Sequence, residues 1–98
     1  MTQKNYAHYE DIQFSDHAKV RAQQRGVRIA IIDFILDHAD RSLHAGEGLK
    51  VLSVSRKNQR RLAQNGQDIR VIEQSNGIAI LIDPKNNCIV TIMRLYGI

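Results

Sequence analysis

The feature that most constrains the fold is a run of five apolar residues over positions 78–82, Ile-Ala-Ile-Leu-Ile, with turn-forming residues on both sides. Successive side chains of a strand point to opposite faces of a sheet, so a run that is apolar at every position predicts a strand inside a sheet rather than at its edge. The flanking segments, Ser75-Asn76-Gly77 and Asp83-Pro84-Lys85-Asn86-Asn87, are rich in residues that favour turns. The run therefore predicts a central strand with short connections to its neighbours.

Further strands are expected on both sides of this run. Residues 69–74 and 89–96 have the composition of strands, and residues 42–45 and 49–53 flank a glycine-rich turn in the manner of a hairpin. Short connections favour antiparallel pairing of the last three strands. Residues 1–13 mix polar residues with scattered aromatics in no helical period, which predicts an extended N-terminal arm or an edge strand.

Helices are expected before and within the strand-rich part. Ser15 is a residue type that caps helix N-termini, and Gly26 is one that ends helices in the left-handed conformation, which bounds a first helix from residue 16 to about residue 25. Residues 28–38 are apolar on more than one face and predict a second helix that contributes strongly to the core. Ser55 begins either a short helix through residue 63 or a charged loop, and we favour the helix.

Together these elements predict an α+β protein, with two N-terminal helices packed on one face of a mostly antiparallel sheet of four to five strands. The chain has 98 residues, which is enough for one hydrophobic core and too few for two. We therefore expect a single domain over residues 1–98.

Charge and cysteine usage narrow the expected partners and compartment. The net charge of +4 favours a polyanionic partner such as nucleic acid. The single cysteine, Cys88, lies in an apolar run and is expected to be a small core residue of a cytoplasmic protein. No segment has the composition of a signal peptide or the length of a membrane span, so we expect no membrane partner.

The most informative polar pattern lies in the first predicted helix. His17, Arg21 and Arg25 recur every four residues, which places one imidazole and two guanidinium groups in a row on one side of a helix. Histidine can donate or accept a proton near neutral pH, and arginine suits phosphate oxygens. RNA cleavage without a metal ion needs both kinds of group, because protons move at the 2′- and 5′-oxygens while charge builds up on the phosphate.

The same row is compatible with two roles that involve no catalysis. It can dock nucleic acid or an acidic protein as a binding surface. It can also serve the fold alone, through salt bridges to Asp33, Asp37 or Asp40 of the second helix, since like charges at this spacing are common on solvated helix faces.

Several short motifs resemble those of the DUF4258 family of small bacterial proteins. They are the capping Ser15, His17-Ala18, Arg21, Arg25-Gly26-Val27, the apolar second helix and the closing Val90-Thr91-Ile92-Met93-Arg94. The resemblance covers about residues 14–96. That family is usually grouped with the barnase/EndoU/colicin/RelE (BECR) superfamily of metal-independent ribonucleases, which includes the toxins of many toxin–antitoxin pairs.

The resemblance implies a RelE-like fold and a ribonuclease of the toxin type, with RNA as substrate, a cognate antitoxin protein as a further partner and no cofactor. It implies that His17, Arg21 and Thr91 are catalytic and that Arg25 and Arg94 bind substrate. In a regular strand, however, Thr91 and Arg94 point to opposite faces, so both reach one site only if a bend or a β-bulge intervenes. Of the two we favour Thr91.

Other basic and aromatic residues extend this prediction. Arg56, Lys57, Arg60 and Arg61 form a dense cluster that grips an RNA backbone or an acidic antitoxin, or is simply a solvated helix face; we assign Arg60 to substrate binding. Tyr96 is the best placed of three tyrosines to stack on a base, with packing at a sheet edge as the alternative. The histidines show no zinc-site spacing and Cys88 has no cysteine partner, so no metal is expected.

Overall fold

The computed structural model describes residues 12–95. Within them, four helices and five strands follow one another along the chain. In order, they are β1 (Gln13–Phe14), α1 (Asp16–Gln24), α2 (Ile29–His38), β2 (Arg41–His44), β3 (Lys50–Ser53), α3 (Arg56–Gln64), α4 (Ile69–Ser75), β4 (Ile78–Asp83) and β5 (Cys88–Arg94). The expected α+β class is confirmed.

The strands form one sheet in the order β1-β5-β4-β3-β2. Every neighbouring pair is antiparallel except β1 with β5, which is parallel. The apolar run at 78–82 lies in β4, at the centre of the sheet, as the sequence predicts. The hairpin of β2 and β3 and the position of β5 are also confirmed.

The hydrophobic core lies between one face of this sheet and the helices. Ile80 is fully buried and pairs with Leu52 on one side and Ile92 on the other, so these three side chains share the core face. From the helices, α2 supplies Ile32 and Ile35, which are also fully buried. Helix α1 packs on β5, and α2 packs on β3, β4 and α4. The sheet therefore carries α1 and α2 on a single face.

The expectation of a strand at residues 69–74 is wrong, because this segment is helix α4. Its β-branched residues are typical of strands, but Asp68 caps a helix here by accepting a hydrogen bond from the main-chain N–H of Arg70 at 2.9 Å. Ile72 and Ser75 are both buried, which fits the three-residue spacing of a helix, whereas in a strand these two side chains would point to opposite faces. Packing of Ile72 into the core decides the conformation over the intrinsic preference of the residues.

Residues 1–11 and 96–98, at the two ends of the chain, lie outside the described residues. Of the predicted arm at residues 1–13, only Ile12 and Gln13 are described, and Gln13 forms the edge strand β1 together with Phe14. Cys88 is half-buried at the start of β5 rather than a fully buried core residue. Across residues 12–95, the helices are too short or too polar to cross a bilayer.

Asp83 organises the turn between β4 and β5. Its carboxylate accepts hydrogen bonds from the side-chain amide of Asn86 at 2.7 Å and from the main-chain N–H of Lys85 at 3.1 Å. The side-chain bond from Asn86 holds the pKa of Asp83 below its usual value of 3.8, against a smaller opposing effect of desolvation. The folded state therefore favours the charged carboxylate.

This turn predicts a specific dependence of stability on pH. A lowered pKa in the folded state stabilises the protein fully above the unfolded-state value, and this contribution is lost as the pH falls through the folded-state pKa. The difference in melting temperature between wild type and Asp83→Ala should thus shrink as the pH falls from above the unfolded-state pKa through the lower pKa of the folded state. Thermal melts followed by circular dichroism check this, and a difference that stays constant over that range would contradict it.

Candidate functional site

Helix α1 is anchored to β5 at its first turn. The Ser15 hydroxyl accepts a hydrogen bond from the main-chain N–H of Ala18 at 3.0 Å and donates one to the carbonyl of Val90 at 2.9 Å. Ala18 and Ala22 are 0% and 7% exposed, and their small side chains let the helix approach the sheet closely. One cap residue therefore both starts the helix and sets its position on the last strand.

The predicted row of His17, Arg21 and Arg25 lies along one side of α1. His17 is exposed, and the half-buried Arg21 donates from Nε to His17 Nε2 at 3.4 Å. Arg25 is also half-buried and donates from Nε to the carbonyl of Ile92 at 3.2 Å. Arg94 joins them by donating from its Nη2 to the carbonyl of Arg25 at 3.0 Å. We call His17, Arg21, Arg25 and Arg94 the basic row.

Thr91 does not belong to this row. The register of β5 against β4 shifts between the pairs Leu81–Thr91 and Ile82–Ile89, which leaves Val90 as the extra residue of a β-bulge. The bulge lies before Thr91, and the register from Thr91 to Arg94 is regular. Thr91 therefore lies on the sheet face opposite the core, whereas Arg94 shares the core face with Ile92 and reaches α1 at its exposed end.

The guanidinium groups of the row keep donors for a ligand. Arg21 and Arg25 each use Nε in an internal hydrogen bond, and within residues 12–95 their Nη groups make none. The contact between Arg21 and His17 is long for a hydrogen bond, so little is lost when a ligand oxygen replaces it. The row thus presents two guanidinium groups with Nη donors available, one of them held on the carbonyl of Ile92, beside an exposed imidazole.

Neither a family model, a curated protein nor a solved structure matches the chain. Assignment of the site therefore depends on its geometry. Among the described residues, the row bonds to one another and to main-chain carbonyls, not to Asp33, Asp37 or Asp40. Asp40 instead accepts hydrogen bonds from Ser55. A purely structural role of the row through salt bridges to α2 is thereby disfavoured.

The second basic group, on α3, is separate from the row. Helix α3 packs against α4, whereas α1 packs against β5 and β1. Arg60 is exposed on α3 and borders cavities of about 440 and about 570 Å³ on either side of that helix. Arg61 is held by Asn58, whose side-chain oxygen accepts from its Nε and Nη2 at 3.1 and 2.8 Å. Arg60 is therefore not brought to the basic row.

The residues that line the cavities bear on the sequence-based prediction of the site in two ways. Four cavities of about 370 to 570 Å³ are formed by described residues, and neither His17 nor Arg21 lines any of these four. Arg94 borders one of about 370 Å³ together with Arg28, which the sequence motifs do not include. Arg28 follows the Arg25-Gly26-Val27 motif directly, so its position after the helix end was an available signal. Tyr96 lies outside the described residues.

Within residues 12–95, no group of three or more His, Cys, Asp or Glu side chains is placed to hold a metal.

Proposed function

We propose that this chain is an RNA endonuclease of the toxin type that acts at the basic row without a metal ion. The observation that carries the proposal is the direct contact of His17 with Arg21, because it sets a group able to move a proton beside a group suited to phosphate. The resemblance of the same residues to the DUF4258 motifs supports it.

In this proposal the arginines hold the RNA backbone. The Nη groups of Arg21 and Arg25 bind non-bridging oxygens of the scissile phosphate, and planar guanidinium groups can do so with two parallel hydrogen bonds. Arg94 binds the neighbouring phosphate, since it is bonded to the carbonyl of Arg25 and lies at the end of the row. Arg94 thus replaces Thr91 as the contribution of β5 to the site.

The chemistry requires one bond to form and one to break. The ribose 2′-oxygen attacks the adjacent phosphorus and loses its proton, while the 5′-oxygen leaves and gains one. His17 serves as the acid or base in this exchange, and positive charge from Arg21 and Arg25 stabilises the five-coordinate phosphate. The products are a 2′,3′-cyclic phosphate and a 5′-hydroxyl.

RNA binding without cleavage is the second candidate. It is favoured by the exposure of His17 and its absence from the four cavities, because phosphate binding needs only accessible donors whereas proton transfer needs a closely held geometry.

An acidic antitoxin is the protein partner that suits the exposed basic residues of α3. We place the protein in the cytoplasm, where an unpaired cysteine such as Cys88 stays reduced.

Binding and cleavage can be measured separately with 2′-O-methyl RNA, which lacks the attacking hydroxyl. We expect Arg21→Gln to weaken binding of this RNA by about tenfold, since charge-assisted hydrogen bonds are worth roughly 1.5–3 kcal/mol. The slope of log affinity against log salt should fall by about one for the lost phosphate contact. Fluorescence anisotropy at several salt concentrations measures both quantities.

Lys19→Gln is the matched control, because it removes the same charge from an exposed position on the other side of α1. Its affinity should stay close to that of wild type. Equal weakening by both variants would show a general charge effect and contradict a binding site at the row.

A further inference from the structure

A cavity of about 450 Å³ lies where β3 ends, α3 begins and β4 begins. Its polar lining includes Arg41, Ser53, Arg56, Gln59 and Asn76, and its residues include no aspartate or glutamate. The volume lies in the range of small-ligand sites. Because α1 contributes nothing to its lining, this cavity is distinct from the basic row.

Ser53 offers a hydroxyl to a ligand in this cavity, which it lines from the end of β3. Among residues 12–95, the buried side-chain atom without a hydrogen-bond partner is Asn87 Oδ1, so the Ser53 hydroxyl is accessible rather than orphaned. An accessible hydroxyl at the cavity wall can donate a hydrogen bond to an anion. Ser53 pairs in register with Arg41, which places the two side chains next to each other on one face of the sheet.

The charge of the cavity selects an anion. Arg41 and Arg56 both border it, one from β2 and one from the first turn of α3. The N-terminus of α3 already has an acidic partner, since Asp40 accepts from the N–H and hydroxyl of Ser55 at 2.7 and 2.5 Å. Asp40 itself borders a different cavity. Anion binding here therefore depends on the two arginines and the Ser53 hydroxyl rather than on the helix end.

A second part of the lining suits a base. Gln59 donates from Nε2 to the carbonyl of Val54 at 3.1 Å and to Asn76 Oδ1 at 3.3 Å, which holds the two side-chain amides together. Gln59 Oε1 and Asn76 Nδ2 make no hydrogen bond within the described part of the chain, so one acceptor and one donor remain. Leu95, which is half-buried, adds an apolar wall. An acceptor and a donor beside an apolar surface match the edge and the face of a nucleobase.

We propose that this cavity binds a nucleotide, with its phosphate on Arg41, Arg56 and Ser53 and its base against Leu95 and the paired amides. The phosphate and base come either from a free mononucleotide or from one nucleotide of an RNA chain. The site does not depend on cleavage at His17, because it shares no residue with the basic row.

Calorimetric titration of the full chain with AMP, CMP, GMP, UMP and inorganic phosphate tests the site. We expect at least one mononucleotide to bind more tightly than phosphate. Arg41→Gln should weaken that binding by about tenfold or more, and Ser53→Ala should weaken it several-fold, as loss of charged and neutral hydrogen bonds implies. Lys57→Gln is the control, because it removes a charge from the same helix but borders another cavity.

The outcomes distinguish RNA from a free nucleotide as the ligand, and they decide whether the proposal stands. If a 2′-O-methyl trinucleotide binds in an Arg41-dependent manner and much more tightly than the mononucleotides, the source is RNA. The proposal is overturned if neither ligand binds at millimolar concentration, if phosphate binds as tightly as the nucleotides, or if Arg41→Gln and Lys57→Gln have equal effects. The same titration with His17→Ala protein should show unchanged nucleotide binding at this cavity. This result would separate nucleotide binding at the cavity from RNA cleavage at the basic row.

Discussion

The His17→Ala protein is expected to cut RNA about 10²- to 10⁴-fold more slowly than wild type, which is the usual contribution of a general acid or base. Its RNA affinity should stay nearly unchanged, because in the proposed function Arg21 and Arg25 bind the phosphates. Its stability should also be unchanged, since His17 is exposed and its one contact with Arg21 is long. Single-turnover cleavage of a labelled RNA, 2′-O-methyl RNA binding and circular dichroism melts measure the three quantities.

His44→Ala is the matched control for this variant, because it removes an exposed imidazole from the edge strand β2. It should cleave at the wild-type rate. Unchanged cleavage by His17→Ala would reassign the proton transfer to another group. A lower melting temperature without any effect on RNA would favour a structural role for the row.

Ala18→Leu is expected to lower the free energy of unfolding by about 1–3 kcal/mol, the usual cost of added volume in a packed core. Ala18 is 0% exposed where α1 meets the sheet, so a larger side chain must push the helix away from β5. For a domain of this size, each kcal/mol lowers the melting temperature by about 4–8 °C. RNA affinity should fall as well, because the bonds of Ser15 to Val90 and of Arg25 to Ile92 hold the row in place.

Val20→Leu provides the comparison on the same helix. Val20 is 49% exposed, so the added methylene meets solvent and stability should change little. Urea unfolding of both variants measures the difference. If Ala18→Leu is as stable as Val20→Leu, α1 does not pack closely on β5 and the geometry of the row is not set by that contact.

Much of the fold was predictable because local patterns and tertiary packing agree. The cap at Ser15, the stop at Gly26 and the uninterrupted apolar run at 78–82 each specify one conformation, and the structure confirms all three. Helix α4 was not predictable from composition, since its β-branched residues favour a strand. The cap at Asp68 was the local signal for a helix there.

The candidate site was likewise predictable from the sequence only in part. The four-residue spacing of His17, Arg21 and Arg25 was enough to place them in one row, because helix geometry is regular. The choice between Thr91 and Arg94 depends on the position of a β-bulge, which is a property of strand pairing and not of the β5 sequence alone. The pairing of Ser53 with Arg41 likewise arises only when β2 and β3 meet.

Analysis of the RNA ends after incubation with wild-type protein and a chelator is the most direct test of ribonuclease activity at the basic row. We expect fragments that carry 2′,3′-cyclic phosphate and 5′-hydroxyl ends from wild-type protein, and no such fragments from His17→Ala protein purified in parallel. Intact RNA after incubation with an excess of wild-type protein would contradict this expectation, and so would fragments that appear equally with both proteins.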